Sequence, residues 1–351
     1  MMPPLHVWGA LALAWLALAP WRPAAVAEAA PQALQPDIRV RHVLDTAGPS
    51  ASVRLAKDPR DDGLYLLKVG GEISRVSVAA GTVTLLYTAA DHGVASAQGM
   101  AFGPDGTLYL VGNEDRPGTQ TRATIMKGTP QAGGPRRWTV LAQTADYPRS
   151  NTAFDHRFNG AVVRPAGDVL YVSSGSRTDH GEVQSAGGLY PGLREAGLTV
   201  CVLRLPTGAE GLFLPDDRAA LKGAGYVFAE GTRNAFDLAF DAGGRLFATD
   251  NGPDRDMSDE LNWLRAEHDY GFPWRMGGAD NPQQFPDYDP ALDLLLDERF
   301  PAVQSGAYHN DPAFPPPGGS PSRSRWSTPG RTPTASATRT TGRCGTPARR
   351  G

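Results

Sequence analysis

Four segments of the chain repeat one local pattern, in which an Asp/Gly-rich turn leads directly into an apolar and aromatic strand start. They are residues 61–65, 103–109, 164–171 and 241–247. Turn chemistry placed directly before such a strand is typical of β-hairpins. The aromatic residues that begin the four strands are 44, 62 and 76 residues apart. Repeated but unequal spacing of this size favours β-propeller blades with loops of different length, and a β-sandwich or a solenoid is the alternative. Short helical turns are expected only at 215–221 and 258–267.

Composition limits the classes of function. The 351 residues could form two average domains or one large all-β domain, and 41 glycines and 31 prolines indicate frequent turns. A net charge of −3 argues against a nucleic-acid partner. The two cysteines, Cys201 and Cys344, provide neither a zinc framework nor a haem-attachment motif. Any metal site should therefore use oxygen ligands.

The N-terminal segment has the features of an export signal. Residues 7–20 form an apolar stretch too short to span a bilayer comfortably, and Ala25, Val26 and Ala27 fit a cleavage site. We predict a signal peptide over 1–27, a linker over 28–37 and a periplasmic or secreted protein without a further transmembrane span. An uncleaved membrane anchor or a misassigned start codon is the alternative.

The C-terminal segment differs from the rest in composition. Residues 318–351 contain seven arginines, no lysine and no acidic residue. Such a segment cannot bury enough apolar surface to offset its ordering entropy. We interpret it as a disordered basic tail or as a stretch translated out of frame, and we favour the second. Residues 38–317 then hold an incomplete propeller.

Residues 231–274 combine five ordered parts. They are the run Gly231-Thr232-Arg233-Asn234, a strand–turn–strand unit, a Gly252-Pro253 corner, the run Asp259-Glu260-Leu261-Asn262, and Tyr270-Gly271-Phe272-Pro273. The acidic loop after the second strand favours a cation, with a solvated acidic surface as the alternative. This order resembles the soluble glucose and sorbosone dehydrogenase family, and the resemblance covers roughly residues 95–275.

The resemblance implies an all-β fold of the six-bladed β-propeller type, of which about four to five blades are evident in the sequence. It also implies a quinoprotein oxidoreductase that oxidises a sugar or a sugar-like alcohol or aldehyde by hydride transfer to pyrroloquinoline quinone (PQQ), with Ca²⁺ as the second cofactor; the signal peptide predicts that this enzyme is exported. The implied partners are a sugar and an external electron acceptor, and a homodimer is allowed for.

A histidine before the strand expected at 160–164 is the candidate base. By residue chemistry alone, the pair Asp155-His156 is a weak signal, because sequence neighbours on a strand point to opposite faces. The resembled family has its catalytic base in a D-H-x-x-x-G segment, which here ends at Gly160. The resemblance therefore implies that His156 is the base and that Asp155 lies in the cofactor site, while His180 is the alternative base.

Three further side chains are expected around the cofactor. A guanidinium can stabilise charge that develops on a quinone oxygen, and a carboxamide offers both a donor and an acceptor. The resemblance implies a catalytic and cofactor-binding role for Arg233 and a cofactor-binding role for Asn234. It places Gln98 on the substrate side.

The resemblance also implies oxygen ligands for calcium. Backbone carbonyls of Gly252 and Pro253 match positions that bind the ion next to the cofactor, and carbonyl oxygens suit hard Ca²⁺. Asp259, Glu260 and Tyr270 match positions around a further calcium ion or a blade connection.

Two other functions remain open. A calcium-dependent hydrolase of the lactonase type would share the fold, but it would need several acidic and amide side chains that converge on the propeller axis. A non-catalytic extracellular binding propeller, or an inactive truncated product, is the other alternative. Nicotinamide and nucleotide cofactors are disfavoured because the chain lacks Rossmann and P-loop fingerprints.

Overall fold

A computed structural model describes residues 32–46 and 48–317. The predicted signal peptide, the first residues of the linker and the basic tail lie outside the described residues. The chain divides after Val43 into two units. Within the first, residues 32–43 contain bends and turns, with the Ile38 N–H donating to the Gln35 carbonyl at 3.2 Å. All helices and strands below belong to the second unit.

Blades 1 and 2 are antiparallel sheets that follow one another in the chain. Blade 1 consists of β1 (Ser52–Lys57), β2 (Leu64–Lys68), β3 (Ile73–Ser77) and β4 (Thr82–Tyr87), and a short helix α1 (Ala89–His92) follows. Blade 2 consists of β5 (Ala97–Phe102), β6 (Leu108–Arg116), β7 (Gln120–Gln131) and β8 (Gly134–Thr144), with β9 (Tyr147–Pro148) paired to β7.

Blades 3 and 4 continue this arrangement. Blade 3 contains β10 (Phe158–Val163), β11 (Val169–Ser174) and β12 (Cys201–Pro206); after β13 (Leu212–Leu214) and the helix α2 (Arg218–Gly223) it adds β14 (Val227–Glu230). Blade 4 contains β15 (Ala235–Phe240), β16 (Leu246–Asp250) and β17 (Glu260–Leu264). The strands β1, β5, β10 and β15 lie side by side in that order, so each blade contributes its first strand to the inside. The described chain is therefore an all-β protein with four blades in a β-propeller arrangement.

The four repeated turn segments all occupy the same structural position. Each contributes to the connection between the first and second strand of its blade. In blade 4, the Asp241 carboxylate accepts the N–H groups of Gly243 and Arg245, and Gly244 has a φ of 76°. A positive φ of this size favours glycine, which explains the Asp/Gly signal. The hairpin prediction is confirmed in all four blades.

The apolar core lies between successive blades. Three clusters of buried side chains join blade 1 to blade 2, blade 2 to blade 3, and blade 3 to blade 4. Aromatic residues of the repeat contribute to all three clusters. Tyr109 lies in the cluster between blades 2 and 3, Tyr65 packs edge-on against Phe102, and Tyr171 packs edge-on against Phe240. Cys201 is a buried free thiol in the cluster between blades 2 and 3.

Two parallel strands connect neighbouring blades at their outer edges. The strand β13 follows β12 in the chain but pairs with β8 of blade 2. Likewise β18 (His268–Asp269) follows blade 4 but pairs with β14 of blade 3. Each pairing holds a later segment against the preceding blade, which fixes the order of the blades.

The chain after β18 forms mostly short elements. They are β19 (Arg275–Met276), β20 (Ala279–Asp280), the 3₁₀ turns Pro282–Gln284 and Pro290–Leu292, and the helix α3 (Pro301–Gln304). The short helix expected over 258–267 was wrong, because this segment forms β17, which pairs with β16. The one expected near 215–221 appears as α2, whose N-terminus is capped by Asp217. Within the described residues, no helix has the length and apolar character needed to cross a bilayer.

Candidate active site

A cavity of about 190 Å³ lies among the first strands of blades 2, 3 and 4. It brings together four of the residues predicted from sequence, and five others complete its wall. The predicted residues are Gln98, Asp155, His156 and Asn234; the others are Asn113, Arg157, Phe158, Asn159 and Phe236. A larger cavity of about 480 Å³ shares Asn113 and Arg157 with it. The smaller cavity therefore has a neighbouring space in which the remainder of a ligand can lie.

Two glycines allow the backbone to approach closely around His156. A Cβ atom on Gly160 would lie 2.7 Å from the Phe236 carbonyl oxygen, and one on Gly175 would lie 2.5 Å from the His156 Cβ atom. Real Cβ atoms do not tolerate such distances, because they fall well inside van der Waals contact. The glycine that ends the D-H-x-x-x-G segment therefore permits β10 and β15 to pack together.

Asp155 orients the loop that carries His156. Its carboxylate accepts the N–H groups of Ser150 at 2.7 Å and Asn151 at 3.1 Å. These bonds hold the turn before β10. Asp155 thus supports His156 through the backbone.

His156 is a partly buried imidazole that stays neutral. The His156 backbone N–H donates to the Ser176 carbonyl at 2.8 Å, and the ring Nδ1 lies 3.4 Å from the Ser176 hydroxyl oxygen. Burial and then the Arg233 guanidinium lower the His156 pKa to about 3, while Asp179 acts in the opposite direction. A neutral imidazole at physiological pH has a lone pair that can accept a proton.

Arg233 lies next to His156 but is held by an acidic partner. Its Nε donates to the Asp179 carbonyl at 2.6 Å, its Nη2 to Asp179 Oδ1 at 2.7 Å, and its Nη1 to the Asn251 carbonyl at 3.2 Å. The guanidinium is therefore buried and hydrogen-bonded. Its positive charge acts on the cavity by lowering the His156 pKa.

Asn234 enters the cavity from a fixed backbone. Asp250 Oδ1 accepts the Asn234 N–H at 2.5 Å, and Asp250 Oδ2 accepts the Arg233 N–H at 3.1 Å. Burial raises the Asp250 pKa to about 7, against the opposing bond from Asn234. The Asn234 Oδ1 accepts from Asn159 Nδ2 at 2.8 Å, so its Nδ2 is directed elsewhere.

His180, the alternative base, lies outside the cavity wall and is fully buried. Its Nδ1 lies 2.9 Å from Asp179 Oδ2 and its Nε2 lies 2.8 Å from Gln283 Oε1. Burial alone would lower the His180 pKa, but the carboxylates of Glu182 and Asp179 raise it. Because both ring nitrogens are hydrogen-bonded, His180 has no free lone pair for a substrate proton.

A comparison with protein families assigns the chain. The family model for glucose/sorbosone dehydrogenases matches residues 97–287, which is more than half of the sequence and includes most of the cavity wall. The chain belongs to this family. No similar protein was found among the curated proteins.

Three solved structures are similar to this chain. It is 22% identical to a PQQ-bound aldose sugar dehydrogenase from Streptomyces coelicolor, with a TM-score of 0.43 and coverage of 69% of each chain. It is 16% identical to the apo-form of a soluble aldose sugar dehydrogenase from Escherichia coli (TM-score 0.44), covering 65% of this chain and 64% of that one. It is 13% identical to the PQQ domain of a pyranose dehydrogenase from Coprinopsis cinerea (TM-score 0.44), covering 69% of this chain and 58% of that one. The chain spans less than two thirds of the length of the second and third of these.

The residues expected to bind calcium are spread over a corner and a hairpin of blade 4. The Gly252 N–H donates to Asp259 Oδ1 at 2.8 Å, and the Pro253 carbonyl accepts the Arg255 N–H at 2.6 Å. Gly252 and Glu260 line a third cavity, smaller than the two described above, together with Arg233. Across residues 32–46 and 48–317, no three His, Cys, Asp or Glu side chains cluster as a metal site would require.

Tyr270 closes a turn through its hydroxyl group. Its hydroxyl donates to the Trp263 carbonyl at 2.6 Å and accepts the Arg265 N–H at 2.8 Å. These bonds close the turn between β17 and β18, which corresponds to the blade connection considered above. Calcium binding by the Gly252 and Pro253 carbonyls and by Asp259, Glu260 and Tyr270 stays a prediction.

The sequence analysis assigned no role to five residues of the cavity wall. Asn113 lies in the wall because its Nδ2 donates to the Phe158 carbonyl at 2.8 Å, which joins blade 2 to blade 3. Arg157, Phe158 and Asn159 lie inside the D-H-x-x-x-G segment and were overlooked there. Phe236 is 37% exposed and begins the inner strand of blade 4 with Ala235. Only the three residues inside that segment carried a sequence signal that could have identified them.

Proposed function

We propose that this protein is an exported sugar dehydrogenase that oxidises the hydroxyl-bearing carbon of a sugar by hydride transfer to PQQ. The observation that carries the proposal is the neutral His156 in a cavity that also contains Gln98 and Asn234, within a member of the glucose/sorbosone dehydrogenase family. Export rests on the predicted signal peptide. Electrons would pass to an external acceptor.

The chemistry of the cavity wall fits PQQ, which is a planar molecule with carbonyl and carboxylate oxygens. Asn234 Nδ2 has only a 3.5 Å contact to Asn251 Oδ1, which leaves it available as a donor to such an oxygen. One face of the Phe236 ring packs against the Arg54 guanidinium, 3.9 Å from the ring centroid, and the part of the ring that lines the cavity offers an apolar surface. Bound PQQ would supply the two-electron acceptor that the side chains of the chain lack.

His156 performs the proton step in this proposal. Its neutral ring accepts the hydroxyl proton of the sugar at Nε2, because Nδ1 faces the Ser176 hydroxyl. Gln98 on the inner strand of blade 2 is placed to orient the sugar hydroxyl. Burial and then the positive charge of Arg233 keep the base unprotonated before the sugar binds.

Reconstitution with PQQ tests the proposal. The purified protein is titrated with PQQ, followed by quenching of its tryptophan fluorescence, and dye reduction is then measured over a panel of aldoses and sugar alcohols. We expect saturable binding and sugar-dependent dye reduction, with a His156→Ala variant that binds PQQ but does not reduce the dye. Hydrolysis of lactones without PQQ binding would instead support the lactonase alternative. Loss of both activities in a folded protein would support a binding propeller.

Calcium remains a separate prediction. If Gly252 and Pro253 provide carbonyl ligands once PQQ is present, calcium should raise the affinity for PQQ and a chelator should lower it. The measurement is the same fluorescence titration with added Ca²⁺ and with a chelator. Equal affinities in the two titrations would remove calcium from the proposal.

A further inference from the structure

Ser176 connects the candidate base to the candidate active-site cation. It lies in the loop between β11 and β12 and is 1% exposed. Its backbone N–H donates to the Arg233 carbonyl at 2.7 Å, and its carbonyl accepts the His156 N–H at 2.8 Å. One residue therefore fixes the main chain of both.

The Ser176 side chain adds a third contact. Its hydroxyl donates to the Thr178 carbonyl at 2.6 Å and lies 3.4 Å from His156 Nδ1. A serine hydroxyl has one proton to donate. Because the Thr178 carbonyl accepts that proton, the Ser176 oxygen can only accept at His156, so the proton of the neutral ring belongs on Nδ1. The backbone carbonyls of Ser176 and Phe154 are further acceptors beside the ring.

We propose that Ser176 is a positioning residue that selects the His156 tautomer with a proton on Nδ1 and a lone pair on Nε2. This inference rests on the proposed function, in which His156 accepts the sugar proton at Nε2. In an enzyme, the hydrogen bond made by one ring nitrogen sets what the other nitrogen can do. Charged groups near the ring are Arg233 and Asp179 from facing segments and Asp155 and Arg157 beside it in the chain.

The residue before Ser176 must be small for the Ser176 hydroxyl to reach His156. Gly175, directly before it, touches the backbone of His156, since a Cβ atom there would lie 2.5 Å from the His156 carbonyl oxygen. The loop can approach the histidine this closely only with glycine at 175. The hydroxyl at 176 then reaches Nδ1.

The test compares two serine variants in the full chain. Ser176→Ala removes the hydroxyl but keeps both backbone bonds. Ser174→Ala is the matched control, because Ser174 is also buried and its hydroxyl has no hydrogen-bond partner among the described residues. The readouts are the ¹⁵N chemical shifts of the His156 ring, which report its tautomer, and kcat and KM with PQQ and a sugar.

We expect Ser176→Ala to convert the His156 ring to a mixture of tautomers and to lower kcat about tenfold, with KM changed less than twofold. Ser174→Ala should change neither the ring shifts nor kcat. Ser176→Thr, which retains a hydroxyl, should restore the Nδ1–H tautomer.

An unchanged His156 tautomer in Ser176→Ala would overturn the inference. The ring shifts need no turnover, so they test Ser176 even if the wild-type protein reduces no dye with any sugar. In that case the proposed function fails while the tautomer assignment stands or falls separately. A tautomer change with unaltered kcat would also overturn the positioning role.

Discussion

Asp155–His156 and Asp179–His180 are the same dipeptide in two different environments. His156 lines a cavity, and Asp155 directs its carboxylate to backbone N–H groups. His180 is fully buried, and its ring bonds directly to Asp179 and Gln283. One histidine is held neutral and the other is favoured in its charged form. The comparison teaches that packing and facing charges, rather than the dipeptide, decide which histidine can act as a base.

Arg233 links the two pairs. Arg233 donates a hydrogen bond to Asp179. Burial would raise the Asp179 pKa, but the hydrogen bond from His180 and the positive charge of Arg233 lower it to about 2. The same positive charge lowers the His156 pKa. The Arg233 guanidinium therefore stabilises the Asp179 carboxylate and, together with burial, keeps His156 unprotonated.

The largest expected effect is the loss of sugar oxidation when His156, rather than His180, is replaced. His156→Ala should lower kcat/KM for sugar oxidation by about 10²–10⁴-fold, because general base catalysis contributes that much. Steady-state dye reduction by the PQQ-loaded protein measures it. The control is His180→Gln, corrected for the folded fraction by circular dichroism. A larger loss in His180→Gln than in His156→Ala would reverse the assignment.

The second prediction concerns the two aspartates. Asp179→Ala leaves the Arg233 guanidinium and His180 buried without their carboxylate, so it should lower the free energy of unfolding by about 3–5 kcal/mol. Asp155→Ala is the matched control and should cost only about 1–2 kcal/mol, because it removes bonds to two backbone N–H groups. Urea unfolding measures both. Equal losses of unfolding free energy in the two variants would contradict the different structural roles of Asp179 and Asp155.

The third prediction uses the pH dependence of stability. The folded-state pKa of His156 is lowered, so below about pH 6.5 the unfolded chain takes up a proton that the folded chain does not. Wild type should therefore lose about 2 kcal/mol relative to His156→Ala as the pH falls from 8 to 5. Unfolding curves at both pH values measure this difference. Parallel pH profiles would contradict the neutral His156.

His180→Gln should show the opposite slope. Because the His180 pKa is raised in the folded state, its contribution is fully present below about pH 6.5 and is lost as the pH rises through the folded-state pKa. The stability deficit of His180→Gln should therefore be largest at acid pH. A deficit that grows with rising pH would contradict the charged form of His180.

The smallest expected effect tests how the segment after blade 4 supports the buried pair. The Tyr308 ring stacks on His180 with centroids 3.8 Å apart, and its hydroxyl donates to Asp179 Oδ2 at 3.1 Å. Tyr308→Phe keeps the stack but loses that bond, so it should cost about 1 kcal/mol. Thermal unfolding measures it, with sugar oxidation expected to change little. A tenfold loss of activity would show that this contact acts on the catalytic cavity.

Much of the fold could be predicted because its signals are local. The turns before Tyr65, Tyr109, Tyr171 and Phe247 need Asp and Gly wherever they occur, so the four hairpins were readable from sequence. The segment 258–267 was misread as helical because pairing with β16, a tertiary contact, determines its conformation.

The candidate site was only partly readable. His156, Asn234 and Gln98 were found through the resemblance, and they do share one cavity. The bond between Arg233 and Asp179 spans 54 residues, and no spacing in the sequence indicates it. The same holds for Ser176, whose role depends on where a loop returns against His156.

The most direct test of the central claim is an NMR titration of the histidine rings from pH 5 to 8, with His156→Ala and His180→Gln variants to assign the two signals among seven histidines. We predict that the His156 ring stays neutral with its proton on Nδ1 over this whole range, while the His180 ring is more than half protonated at pH 6.5. A His156 ring that titrates near pH 6.5, or a His180 ring that is neutral throughout, would contradict the account.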